Sequence, residues 1–335
     1  TSVDDGSLTG TCSTADTTDI PFVYSGQMLS DNLTTGALGY WSLDIPSIVI
    51  EARNADDVLA QNYIDDFFKL SLTSFNRLTL PSSTILAPDS DASQVGKDTT
   101  NLVRLIANLN TAILVDNSGE VTYSYGNNDH FVYLREDNSE INEFTADIDL
   151  SMVSIIDSDL VETQDYDGDV ANSLILTLNP AGKLIRFGRA QLENSYGPDT
   201  SALPQTLSVN YYKDASYVLS EADICTTYNS DNISLTEISL DPAKTPVKDS
   251  VNGKFSDDFP LGETREIILK APTTAGSVNT GQVEVIYSIS DWLKYDWAYD
   301  AEGVDGLFND NPRGVATFGI FRGNDRIIYQ REIAK

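Results

Sequence analysis

Carboxylates and aromatic rings are the side chains with which this chain could do chemistry. Its 335 residues hold one histidine, two cysteines and two methionines, against 51 acids. Ser-His-Asp or Cys-His catalysis would have to use His130, the single histidine, which sits inside the strand-like run HFVYLR with no distinctive nucleophile motif elsewhere. A zinc site built on histidines or cysteines fails on ligand number. Glycoside hydrolysis needs two carboxyl groups roughly 5 to 9 Å apart. With so many acids some pair would meet that distance in any fold, so the criterion selects nothing. The chain therefore reads as non-enzymatic, with a carbohydrate-active enzyme as the remote alternative.

Hard-cation binding is better supported by spacing. In ETQDYDGDVAN the acids Asp165, Asp167 and Asp169 alternate around Gly168. Alternate carboxylates on a tight loop can converge on calcium, which takes six to eight oxygens. The pattern matches the opening of an EF-hand loop, yet Leu176 stands where the bidentate glutamate is required, so the full motif fails. A solvated turn is the competing reading. A second acidic loop, DWAYDAEGVDGLFNDNPRG, crowds Asp296, Asp300, Asp305, Asn309 and Asp310 without regular spacing.

That second loop is also the recognition candidate. Trp292, Tyr295, Trp297 and Tyr299 surround its acids, and two of the chain's three tryptophans lie there. Aromatic faces can stack on sugar rings while carboxylates and amides accept hydroxyl hydrogens, which makes Trp292, Trp297 and Tyr299 the candidate ligand-binding residues. The opposing expectation is structural. Strand alternation through SISDWLKYDW would put Trp292 with Lys294 on one face and Leu293, Tyr295 and Trp297 on the other, as core.

The elements that would carry these loops are strands. Runs such as SIVIEA (47–52), EVTYSY (120–125), HFVYLR (130–135), FTADIDLSMV (144–153), LIRFGRAQLE (184–193), TLSVNYY (206–212), REIILKA (265–271) and QVEVIYSIS (282–290) alternate with Gly, Asn, Asp and Ser clusters. TTNLVRLIANLNTAIL has near-helical leucine spacing. Its asparagines and the hairpin-like VDNSGEVT that follows favour strand followed by strand. The expected fold is all-β: two tandem immunoglobulin-like β-sandwich domains, residues 1–178 and 179–335, with the boundary near LTLNPAGK (176–183), where Pro and Gly interrupt two β runs.

A formal net charge of -30, spread along the chain, repels phosphate backbones and anionic head groups, which argues against nucleic acid and against electrostatic membrane binding. No apolar run approaches the roughly 20 residues that span a bilayer. TSVDDGSLTG has no basic start followed by an apolar core, so the chain reads as a mature fragment. Cys12 and Cys225 suit either one disulfide in an oxidising compartment or two unrelated thiols.

Scarce positive charge gathers in FGIFRGNDRIIYQRE, Phe318 to Glu332. With Gly323 and Asn324 as a two-residue hairpin loop, Arg322 faces Asp325, and Arg326 and Arg331 fall on opposite faces. The arginines then fix register and guard an edge rather than form a basic patch.

The phrases DHFVYLREDNSEINEFTADIDLSMVSIIDSD, LIRFGRAQLENSYGPDTSALPQTLSVNYY with ADICTTY, and WLKYDWAYD with PRGVATFGIFRGNDRIIYQRE stand out together. Jointly they resemble the C-terminal region of MshQ-like proteins, encoded with the mannose-sensitive haemagglutinin (MSHA) type IV pilus. The likeness covers nearly the whole chain, and GRAQLENSYG and FGIFRGNDRIIYQRE are its most specific parts. The resemblance implies an extracellular or cell-surface, pilus-associated place and a role in adhesion or interaction, with pilus proteins or surface glycans as partners. It brings no catalytic or binding residues. A purely structural spacer or assembly part of the pilus machinery is the alternative.

Overall fold

A computed structural model of the chain describes residues 1–10, 12, 22–28, 36–77, 84–86, 103–108, 111–146, 148–163, 175–248, 262–272, 279–297 and 306–319. Among these the regular structure is strand, joined by short 3-10 turns. The chain is all-β in two compact units, as its alternating runs predict. Unit 1 holds Thr1–Gly188 together with Tyr211–Val218, and unit 2 holds Arg189–Asn210 with Leu219–Lys335.

In unit 1 the strands are β1 (Ser2–Asp4), β2 (Leu8–Thr9), β3 (Phe22–Tyr24), β4 (Leu38–Tyr40), β5 (Ser47–Glu51), β6 (Phe75–Arg77), β7 (Thr84–Leu86), β8 (Val103–Asn108), β9 (Ile113–Asn117), β10 (Glu120–Ser124), β11 (His130–Tyr133), β12 (Phe144–Thr145), β13 (Leu150–Ile155), β14 (Leu176–Leu178) and β15 (Leu184–Arg186). They form sheets in the orders β1-β5-β10-β9, β2-β4-β11-β8-β7, β12-β15-β3 and β14-β13-β6. The period of two decides which residues turn inward. Val121 pairs with Ile50 and Tyr123 with Ile48, and all four are buried. These side chains join Leu38, Phe131, Met152 and Ile185, drawn from the other three sheets, in one core cluster.

TTNLVRLIANLNTAIL does divide into two strands, β8 and β9. The turn after β9 is set by Ser118 and Gly119, both at positive φ (48° and 95°), which is the twist-matched geometry of a two-residue hairpin.

β15 pairs in parallel with β3, so residues 184–186 belong with unit 1 and the division between units falls at Gly188, downstream of LTLNPAGK. Tyr211–Val218 returns to unit 1 for a chemical reason. Arg186 lies between the rings of Phe22 and Tyr211, its guanidinium carbon 4.1 Å from each centroid. The Glu143 carboxylate accepts from Arg186 Nε at 3.3 Å and from Lys213 Nζ. Asn142 Oδ1 accepts from the Asp214 amide at 2.9 Å. Glu143 is thus the anion for two cations from separate segments, and its hydrogen bond raises the Lys213 pKa.

Unit 2 is built from β16 (Gly188–Leu192), β17 (Ser195–Gly197), β18 (Leu203–Lys213), β19 (Ser216–Leu219), β20 (Ile233–Glu237), β21 (Glu263–Leu269), β22 (Gly281–Tyr287) and β23 (Arg313–Phe318), with parts of β16, β18 and β19 assigned to unit 1. One sheet runs β16-β18-β19 with β21 also on β18, and the other runs β17-β23-β22-β20. In chain order β16-β18-β21 and β20-β22-β23 are the A-B-E and C-F-G sheets of an immunoglobulin sandwich, with β19 added beside β18 and β17 pairing parallel to β23. Leu207, Val209, Ile267 and Leu269 of the first sheet and Val283, Val285, Ala316 and Phe318 of the second are buried.

Tyrosines buried in both interiors give the fold an alkaline limit. Burial raises the pKa of Tyr40, with the nearby Asp129 charge adding to it, and burial likewise raises Tyr125 and Tyr228. Tyr123 is pushed up to about 12 by burial, against the opposing charge of Arg77. An unfolded tyrosine ionises near pH 10. These groups hold their protons longer when folded, so their contribution is fully present below pH ~10 and is lost as pH rises through the folded values. A spectrophotometric titration should show the buried phenols ionising only together with unfolding, after the exposed tyrosines.

Candidate functional site

The strand alternation expected through SISDWLKYDW does not occur. β22 ends at Tyr287, and Asp291–Leu293 forms a 3-10 turn. The cause is a hydrogen bond from a distant side chain. The Ser288 amide still donates to Asn232 O at 2.8 Å, in the β20 register, but the Ile289 amide donates to the side-chain Oδ1 of Asn311 at 3.1 Å instead of to a strand carbonyl, and there the backbone leaves the ladder. Leu293 drops into the core at 1% exposure while Trp292 stays half-buried.

Tyr295 and Trp297 are held together, as their common face would suggest, but by a cluster rather than by a strand. Their rings meet edge to face with centroids 5.2 Å apart, and Phe308 stacks on Tyr295 at 4.8 Å. Arg189, from β16, lies 4.9 Å from both the Tyr295 and Trp297 ring centroids. The loop is clasped across its base, where Tyr295 and Asp310 exchange backbone hydrogen bonds of 3.2 and 3.1 Å. The Asp310 carboxylate also accepts from the Trp297 amide at 3.2 Å. Trp297 is therefore one of several packed groups. Arg189 was not singled out by sequence, because cation-over-ring contacts join residues distant in the chain; its signal was only the unusual phrase GRAQLENSYG.

Trp292 lies elsewhere, at a pocket of about 100 Å³ lined also by Thr227, Asn232, Ser288 and Ser290, with Tyr287 among its walls. Two connections build it: the one from β19 to β20 and the one from β22 to β23. In immunoglobulin order these are the B–C and F–G loops. Their mutual position is fixed by Tyr287, fully buried, whose hydroxyl accepts from the Asn229 amide at 2.9 Å and donates to Thr227 O at 3.3 Å. Burial raises its pKa, and the hydrogen bonds it accepts from the Asn229 amide and the Asn232 side chain partly offset the shift. Tyr228 stacks beneath it, ring centroids 6.0 Å apart.

Asp223 shapes the B–C side. Its buried carboxylate accepts from the Cys225 amide (2.7 Å), the Thr226 amide (3.1 Å) and the Thr226 hydroxyl (2.6 Å), closing an Asx turn. Both cysteines, Cys12 and Cys225, are in disulfide linkage and neither is free.

Of the acids read as calcium ligands, Asp296 and Asp310 are described. Among the described residues neither belongs to a group of three or more ligands close enough to share an ion. Asp165, Asp167, Asp169, Asp300 and Asp305, with Tyr299 and the hairpin expected around Gly323, lie outside the described residues. His130 is a β11 residue whose Nδ1 donates to Asn128 O at 2.6 Å, a local structural bond.

No curated protein and no solved structure matches the chain. Residues 1–175 match the family model described as DUF6701, third domain, and residues 186–333 match DUF6701, fourth domain. Together the two matches take in both all-β units almost entirely, and the chain belongs to the DUF6701 family, of which it carries the third and fourth domains in tandem.

Proposed function

We propose that this chain is a non-enzymatic interaction module of an extracellular, pilus-associated protein of the MshQ-like kind, and that it engages its partner through the B–C and F–G end of unit 2. The observation that carries this reading is the pocket between those two loops, with Trp292 on its wall. That end of an immunoglobulin sandwich presents loops whose sequence can vary without disturbing the sheets, which is why variable domains bind there. The disulfide-bonded cysteines suit an oxidising compartment outside the cytosol. A coat with net charge -30 suits a soluble surface protein and disfavours anionic partners.

The spacer reading has one observation in its favour: Trp297 is packed against Tyr295 and under Arg189 rather than standing open. Beads coated with the intact chain decide between the two when presented to epithelial cells, mucin layers and purified type IV pilus filaments. Retention on at least one surface is expected, and replacing Trp292 to Trp297 by a Gly-Ser segment should abolish it. No retention on any surface would leave the spacer.

A further inference from the structure

We infer that the pocket between the B–C and F–G loops takes the edge of one uncharged sugar residue, with the ring's apolar face against Trp292. The inference rests on the interaction role proposed above and names the ligand class of that same site.

Charge is the first argument. In a chain with net charge -30, none of the residues lining this pocket carries a charged side chain. A pocket for a cation would use carboxylates, and one for an anion would use arginine or lysine. Neutrality in such surroundings selects a neutral, hydrogen-bonding ligand.

The second argument is the kind of polar group present. Thr227, Ser288 and Ser290 contribute hydroxyls and Asn232 the part of its amide not bonded to Tyr287, all on exposed residues. Hydroxyls and amides both donate and accept, as sugar hydroxyls do, so each can meet either role of its partner. Ser290 does not spend its hydroxyl on capping the 3-10 turn that follows it. The buried Thr226 hydroxyl, by contrast, is already donated to Asp223, which makes it part of the wall rather than part of the recognition set.

Size and rigidity complete the case. A volume of about 100 Å³ is well below the roughly 300–1,000 Å³ of pockets that enclose a whole ligand. It suits one hydroxymethyl, acetamido or ring edge rather than a whole saccharide. The rest of the ring must lie outside, where the half-buried Trp292 offers an indole surface. Tyr287 and Asp223 hold the two loops in place before any ligand arrives, so little ordering cost attaches to binding. Contacts this few give weak affinity for a single residue, and useful adhesion would come from many copies on one surface.

Saturation-transfer NMR on the intact chain tests this, with methyl glycosides of glucose, galactose, mannose, fucose, N-acetylglucosamine and N-acetylgalactosamine as probes. N-acetylneuraminic acid serves as the anionic control. Transfer to at least one neutral glycoside is expected. Trp292→Ala should weaken it about tenfold and Ser290→Ala or Thr227→Val about threefold each, while Trp297→Ala should leave it within about twofold. Ser290 and Thr227 are exposed, so their variants keep the test valid if Trp292→Ala fails to fold. Absence of transfer to every neutral glycoside, transfer undiminished in the Trp292 and Ser290 variants, or preference for the anionic sugar would each overturn the assignment. Retention of beads by a surface without glycoside binding overturns the sugar alone. Loss of all retention overturns the interaction role itself.

Discussion

Tyr287→Ala is expected to destabilise unit 2 by about 3–5 kcal/mol, the range for removing a fully buried large aromatic side chain. Tyr287 is at 0% exposure, stacks on Tyr228 and ties two loops with its hydroxyl. Tyr287→Phe separates the packing part from the polar part. It keeps the ring and strands the Asn229 amide and Thr227 carbonyl, for which about 1–3 kcal/mol is expected. Scanning calorimetry of the two variants beside the unaltered chain reads both effects, as a shift of one transition rather than of the whole profile, because two domains need not unfold together. A fall of less than about 1 kcal/mol for the alanine variant would mean that the loops are held by something other than this phenol. Both variants should also lose retention on surfaces, since the B–C loop is no longer pinned against the F–G loop.

Glu143→Ala is expected to act on unit 1, by about 2–3 kcal/mol. Removing one member of a buried ion pair costs about 3–5 kcal/mol, because the remaining charge stays desolvated. Here the side chains of Arg186 and Glu143 are 13% and 17% exposed while Lys213 is 43% exposed, so solvent screens part of the loss. Arg186 keeps its place between Phe22 and Tyr211, which limits the damage further. The specific consequence is local. Tyr211–Val218 is joined to unit 1 through Glu143, Arg186 and Asn142, and its amides should exchange faster in the variant than those of β5 and β10. Glu143→Gln should recover part of the stability by accepting one hydrogen bond without the charge. Unchanged exchange over 211–218 would assign that segment's anchorage to the Arg186 and Tyr211 contact alone.

Much of the strand pattern was legible because it is local. Ile48 and Ile50, or Val121 and Tyr123, announce an inward face through a period of two that needs no knowledge of the partner. The Asn-Ser-Gly-Glu turn was legible for the same reason, since its geometry depends on the residues at positive φ. The loop from Trp292 to Trp297 was legible as composition, and its internal geometry was not. Read as a strand it placed Leu293 with Tyr295 and Trp297, whereas the side chain of Asn311, remote in sequence, captures the Ile289 amide and the backbone turns aside into the 3-10 turn.

Sequence by itself determined that this protein is all-β and acidic, that it has two domains, and that two of its three tryptophans lie in one acidic, tyrosine-bearing loop. Tertiary structure alone decided that β15 runs parallel to β3, that Tyr211–Val218 belongs with the first unit, and that Arg189 lies over Tyr295 and Trp297. It also divided the aromatic loop, sending Trp297 into a packed cluster and Trp292 to a pocket shared with the B–C loop. The physical reason is the same throughout. Alternation is dictated by the backbone of each strand in turn, while pairing, cation-over-ring contacts and pockets depend on which distant segments meet when the core closes.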